Sequence, residues 1–237
     1  MSRELLLNYG RTFVSPVTMR PASTALVIVD MQYQNASKDF GFNLALRNID
    51  PESLGYIEAR VNQLVVPSIQ TLIDGFRQAQ AKIVYLLLGS AYQDLRDVPP
   101  TLKKYIRDVE SRSGVPDVYW AGSPGYRVLD EIAPRPEDTI VRKTTWGAFN
   151  SSNLEQVLSN MGVDTVVITG VTTSCCVETT ARDAADRGYG CVIVDEGTAD
   201  YNEASHYAAL GALHSNFGRV LGSPADVLSA MRSGKPV

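Results

Sequence analysis

The chain alternates between short, wholly apolar runs and longer stretches in which apolar residues return every three or four positions. The apolar runs are Ala25 to Asp30 (ALVIVD), Lys82 to Leu88 (KIVYLLL), Thr139 to Val141 (TIV), Thr165 to Thr169 (TVVIT) and Cys191 to Val194 (CVIV). Runs rich in β-branched residues, with no polar alternation, predict strands buried on both faces of a parallel sheet. Helical patterns lie between most of them, at Tyr56 to Ala81, Asn153 to Met161, Cys176 to Arg187 and Glu203 to Asn216. Gly162 and Gly188 stand where two of these helices should stop. This rhythm predicts an α/β fold: a doubly wound, mostly parallel six-stranded sheet with helices on both faces.

Two stretches fall outside the rhythm. Met1 to Ser23 is polar and contains two prolines, and is expected to be an arm packed on the body or on a neighbouring subunit. Tyr92 to Pro136 is richer in Pro, Gly and charge and runs longer than a connecting loop usually does, so a lid or a subunit contact is expected there. The remaining chain, residues 24–237, reads as a single domain. Its length, within a chain of 237 residues, is enough to bury a sizeable core.

Composition narrows the function classes. Hydrophobic residues make up 44% and charged residues 20%, the balance of a soluble globular protein. A net charge of −4 with no Lys/Arg run leaves no footprint for nucleic acid or anionic membranes. No apolar stretch reaches the ~18–20 residues that cross a bilayer, and the N-terminus lacks a basic segment followed by an apolar one, so a cytoplasmic protein is expected. Three cysteines, two of them adjacent, argue against a disulfide framework and for a reducing compartment. The two histidines, His206 and His214, with no Cys-x-x-Cys or His-x-x-x-His spacing, leave too few ligands for a protein-built zinc site. No metal and no cofactor is expected.

In a doubly wound sheet, ligands bind where loops leave the carboxyl ends of the strands, and three positions there could carry chemistry. Asp30 closes the first apolar run and opens DMQYQN; it is either a functional carboxylate or the cap of a following turn. In TGVTTSCCVETTARDA, residues 169–184, a strand passes through Gly170 into a helix that begins near Cys176. A thiol at a helix N-terminus feels the positive end of the macrodipole, which lowers its pKa. Backbone N–H groups of the same turn could hold an oxyanion, worth ~3–4 kcal/mol per donor. Equally, Cys175 and Cys176 could be small buried hydrophobes, as most free cysteines are; Cys191, inside a strand run, reads as core. Lys143, in RKTTWGAFNSSN after TIV, could keep a carboxylate ionised and favour a thiolate, or lie on the surface.

These pieces, in this order, resemble the isochorismatase-like cysteine hydrolase superfamily, which includes nicotinamidases, N-carbamoylsarcosine amidases, ureidoacrylate amidohydrolases and biuret hydrolases. The resemblance covers roughly Thr24 to Val220 and rests on ALVIVDMQ, SPGYRVLDEIAPRPEDTIVRKTTWGAF, DTVVITGVTTSCCVETTARDAADRGY and NFGRV. It implies that Asp30, Lys143 and Cys176 are catalytic. Cys176 rather than Cys175 is the nucleophile because the family pattern Gly-Val-x-Thr-x-x-Cys-Val starts here at Gly170. It also implies a cis peptide between Val171 and Thr172, with the backbone N–H groups of Thr172 and Cys176 as the oxyanion hole. Homo-oligomers, dimers or tetramers, are common in the family.

Two departures narrow the reading. No histidine occurs from Met31 to Tyr92, whereas metal-dependent nicotinamidases carry theirs in that segment. True isochorismatases typically lack the cysteine that this chain has. The expectation is therefore hydrolysis of a C–N bond in a small amide, ureido or carbamoyl compound through a thioester on Cys176. The alternatives are vinyl-ether hydrolysis of the isochorismatase type, or an idle binding subunit of the same fold. Nucleotide binding is disfavoured because the first strand runs into DMQYQN rather than a Gly-x-Gly-x-x-Gly turn. Tyr33, Gln34, Asn35, Tyr92, Trp146 and Tyr201 follow strands and are expected to line the substrate pocket. Their polar groups suit a small hydrogen-bonding substrate.

Overall fold

The structure is a computed structural model that describes residues 13–237; the first half of the expected N-terminal arm lies outside the described residues. Six strands form one sheet: β1 (Thr24–Val29), β2 (Lys82–Leu88), β3 (Thr139–Lys143), β4 (Thr165–Val171), β5 (Gly190–Ala199) and β6 (Arg219–Leu221). Their order is β3-β2-β1-β4-β5-β6, and every pairing is parallel. The chain winds outward from β1 in one direction to β3, returns to β4 beside β1, and winds the other way. The order therefore reverses between β1 and β4, the place where doubly wound sheets open a crevice.

The helices are α1 (Tyr33–Ala36), α2 (Gly41–Ile49), α3 (Gly55–Arg60), α4 (Val66–Gln78), α5 (Pro100–Ser113), α6 (Leu154–Asn160), α7 (Glu178–Asp186), α8 (Glu203–Asn216) and α9 (Pro224–Ser233). Alternate residues of the central strands enter opposite cores. Val27, Val29, Val84, Leu86, Val166 and Ile168 pack with residues from α2, α5, α6, α7 and α8. Leu26, Ile28, Ile83, Tyr85, Leu87 and Val167 pack with α3, α4 and α9. Both faces are covered, which is why β1 and β4 are buried at every position and carry almost only apolar residues.

The single helix read over Tyr56 to Ala81 is helical but not uniform. α3 and α4 are joined by a π-helical turn, Val61–Val65, whose wider bond runs from Val66 N to Val61 O. Pro67, at the start of α4, has no N–H for an ordinary helical bond, and the widened turn accommodates that. Gly162 and Gly188 take φ of 66° and 88° after α6 and α7, the left-handed conformation that ends a helix. Strand β3 is longer than TIV and ends on Lys143 itself, while β5 continues to Ala199.

The segment 92–136 holds α5 and two short 3-10 turns, Pro124–Tyr126 and Asp130–Ile132. It is tied back to the first crossover where Gln32 bridges Val128. Residues 13–23 lie against the body at the amino ends of the strands. Val17 exchanges both backbone hydrogen bonds with Val237, and Met19 is fully buried. Among the described residues no helix is long and apolar enough to cross a membrane.

Candidate active site

Asp30 is the first residue after β1 and has φ +52°, a left-handed conformation that Asp tolerates better than most residues. Its side chain caps no helix. The carboxylate, 1% exposed, meets the ammonium of Lys143, which is wholly buried, with Nζ to Oδ2 at 2.8 Å. Lys143 also donates to the carbonyls of Thr145 (3.1 Å) and Trp146 (2.9 Å), so its three protons are all engaged. The Oδ1 oxygen of Asp30 is buried as well, and the carboxylate also takes a hydrogen bond from the Cys176 thiol.

Beside it, β4 delivers the thiol. Gly170 has φ +108°, and a Cβ there would stand 2.0 Å from Val29 O; only glycine lets β4 press this closely on β1. The Val171–Thr172 peptide that follows is cis. A π-helical turn, Thr173–Val177, then leads into α7, so the helix begins a few residues before Cys176 rather than at it. Asp200, after β5, accepts from the N–H of Ser174 (2.6 Å) and of Tyr201 (2.8 Å), binding this turn to the next loop. Beneath the turn, Thr173 Oγ1 and His206 Nδ1 are 2.8 Å apart, His206 Nε2 and Asp195 Oδ1 3.0 Å, and Asp195 pairs with Arg60 at 2.5 Å. Burial holds the His206 imidazole below its ordinary pKa. The sequence offered no sign of this chain of contacts, because Arg60, Thr173, Asp195 and His206 come from four separate elements that only the fold brings together.

Electrostatics at the site run against one expectation. The hydrogen bond with Cys175, burial and the Asp30 carboxylate push the Cys176 thiol well above its ordinary pKa, although Lys143 pulls the other way. The Cys175 hydrogen bond and burial, with the Asp30 carboxylate, thus oppose the pull of a helix-terminus dipole worth ~0.3–1 kcal/mol. The same sulfur–sulfur hydrogen bond lowers Cys175, the more exposed of the two. Burial also raises the Asp30 carboxyl above the usual carboxylate range, against the pull of Lys143. On Lys143, burial opposes the charge, but Asp30 and Cys176 together hold the ammonium above its ordinary value.

A cavity of about 260 Å³ opens over these groups. Asp30, Asn35, Thr172 and Cys176 contribute its polar surface, and Phe42, Tyr105, Tyr119, Trp146 and Tyr201 its aromatic wall. Tyr119 donates to Asn35 Oδ1 (2.9 Å), Asn35 Nδ2 to Asp30 O (3.3 Å), and Tyr201 to Asn43 Oδ1 (3.0 Å). The geometry thus brings together Asp30, Lys143, Cys176, Thr172, Asn35, Trp146 and Tyr201.

Three expected pocket residues are elsewhere. Tyr92 is 48% exposed with the Arg96 guanidinium over its ring, because Ser90 and Asp97 turn the chain outward after β2. Tyr33 packs on Phe40 and under Arg127. Gln34 is buried and donates to Leu88 O, bracing the chain after β2. Phe42, Tyr105, Tyr119 and Asp200 escaped the sequence reading. The first three come from segments with no strand ending beside them, and Asp200 lies beyond the expected end of β5. Among the described residues no group of three or more His, Cys, Asp or Glu could hold a metal ion.

Comparison with known proteins places this geometry in a family. The isochorismatase domain pattern matches residues 24–225. A ureidoacrylate amidohydrolase, RutB, from Pseudomonas syringae pv. syringae is 31% identical over 212 residues, covering 86% of this chain and 82% of that protein. A crystal structure of a cysteine hydrolase from Pseudomonas syringae pv. phaseolicola superposes with a TM-score of 0.73 at 23% identity, covering 94% of this chain and 100% of the other. An N-carbamoylsarcosine amidase from Thermoplasma acidophilum gives 0.60 at 24% identity, over 84% of this chain and 96% of its own. With the family pattern running through β1, β3 and β4, the strands that carry Asp30, Lys143 and Cys176, the chain belongs to the isochorismatase family of hydrolases.

Proposed function

We propose that this chain is a cysteine-dependent amidohydrolase that cleaves a C–N bond in a small amide, ureido or carbamoyl compound. The observation that carries the reading is the buried Asp30 carboxylate hydrogen-bonded to the Cys176 thiol, with its Oδ2 tied to Lys143. As Cys176 Sγ attacks the carbonyl carbon, its proton passes to Asp30. A thiol with a raised pKa suits this, since the proton leaves as the C–S bond forms. The carbonyl oxygen becomes an oxyanion held by the N–H groups of Thr172 and Cys176. When the C–N bond breaks, Asp30 returns the proton to the departing nitrogen, leaving a thioester. Asp30 then takes a proton from water as the hydroxyl oxygen attacks, and the acid and free thiol are restored. Lys143 keeps Asp30 ionised and oriented throughout.

The amidohydrolase and amidase names of the relatives support the reaction class. The three free thiols fit the cytoplasmic, reducing setting that belongs to the same reading, as does a homo-oligomer.

The decisive comparison is Cys176→Ala against Cys175→Ala, with ammonia release measured over small amides, ureides and carbamoyl amino acids. Cys176→Ala should lose turnover and the thioester adduct seen by mass spectrometry, while Cys175→Ala keeps both. The reverse pattern would make Cys175, the more acidic sulfur, the nucleophile. A silent panel with isochorismate hydrolysed would overturn the amide reading.

A further inference from the structure

The charges around the cavity say what the substrate cannot carry. Among the described residues that line it there is no Lys, Arg or His, while two carboxylates, Asp30 and Asp200, do line it. The nearby cation, Lys143, has its three protons committed to Asp30 and two carbonyls. Asp200 accepts from two backbone N–H groups and offers a carboxylate, not a cation, to the cavity. A carboxylate brought in with a substrate would shed its water beside like charge and find no ammonium or guanidinium in return.

The wall offers something else. Tyr105, Phe42, Tyr119 and Trp146 form a continuous series of ring contacts, with centroids 6.0, 5.3 and 6.4 Å apart. Tyr105 and Trp146 also line a second groove of about 460 Å³, completed by Pro99, Thr101, Leu102 and Thr145. That groove contains no charged side chain, and it shares its two aromatic residues with the cavity at Cys176. Asp30, which must reach the leaving nitrogen, is fully buried, whereas Tyr105 is 44% exposed. The nitrogen therefore goes inward and the bulk of the acyl group outward.

We infer that the substrate is a primary amide whose acyl group is uncharged and apolar or aromatic, seated on Tyr105 and Trp146 and reaching toward Leu102. This rests on the amidohydrolase reading and adds the substrate class. It also separates this chain from its ureidoacrylate-cleaving relatives, because an acrylate is a carboxylate.

Ammonia release from phenylacetamide and hexanamide, compared with succinamate and glutaramate, tests it. The neutral pair should exceed the acids in kcat/KM by at least about tenfold, and Leu102→Arg should cut that ratio by a similar factor. Equal or reversed preference overturns the inference. So does a Leu102→Arg protein whose oligomeric state changes while its preference does not, since the groove is then a contact between copies. Binding to the Cys176→Ala variant, followed by titration calorimetry, separates the two readings. Preferential binding of the neutral amides without turnover by the native enzyme sinks the amidohydrolase reading and supports the pocket. Tighter binding of the acids sinks the pocket, whatever the native enzyme turns over.

Discussion

At Asp30 two demands meet on one carboxylate: the proposed mechanism needs it ionised to accept a proton, and it sits where burial favours the neutral acid. Lys143 opposes that push, and the pH profile should show it. Because Asp30 is raised above its ordinary 3.8, kcat/KM should climb with pH along an acid limb centred above that value. Lys143→Met removes the cation that pulls the carboxyl down, so in any residual activity the limb should move further toward neutrality; a limb that stayed in place would deny Lys143 this part. The same variant should cost stability by about 3–5 kcal/mol, as breaking a buried pair does, read as a lower denaturant midpoint near neutral pH. The sign of the linkage follows from the raised Lys143. Its contribution is fully present below the ordinary 10.5 and is lost as pH rises through the higher folded value.

At the scale of elements, the register of β1 on β4 brings Asp30 and Cys176, the proposed base and nucleophile, together. Val29 is paired with Gly170, each lying just before its functional residue or turn. Gly170→Ala would drive a methyl into the Val29 carbonyl and place alanine at φ +108°. A loss on the order of 3 kcal/mol should appear in thermal unfolding, with kcat/KM falling further than the lost folded fraction explains. Strands of this kind were readable in the sequence because burial on both faces forces unbroken β-branched runs, and Asp30 and Lys143 were readable because they end such runs. Strand β6, three residues long, carries no pattern to read. The helix α5 buries only Ile106 and Val109 fully, so its periodicity is nearly silent. Cys176 was separable from Cys175 only through the family pattern, and the wall residues Phe42, Tyr105 and Tyr119 only through tertiary packing, since what faces the cavity depends on where α2 and segment 92–136 are laid.

Over the whole molecule, chemistry and support occupy opposite ends of the sheet. Met19, buried among residues beneath β1 and β4, belongs to the supporting end together with the Val17–Val237 clasp. Met19→Ala should lower stability by about 2–5 kcal/mol while kcat/KM stays unchanged at temperatures where the variant is folded; a matching fall in kcat/KM would show the two ends to be coupled.

Segment 92–136 has the opposite character. It contributes Tyr105 and Tyr119 to the cavity, yet it leaves from β2 and returns to β3, neighbours joined at their ends by Gly89 N–H to Lys143 O at 3.0 Å. It is anchored by those strands and by its bonds to the chain after β1. Because Leu129 N–H and Arg127 O also clasp the backbone of Met31 and Tyr33, only the stretch around Tyr105 is open to exchange without loosening Asp30, so that new substrates become accessible by altering α5 rather than by remaking the reaction.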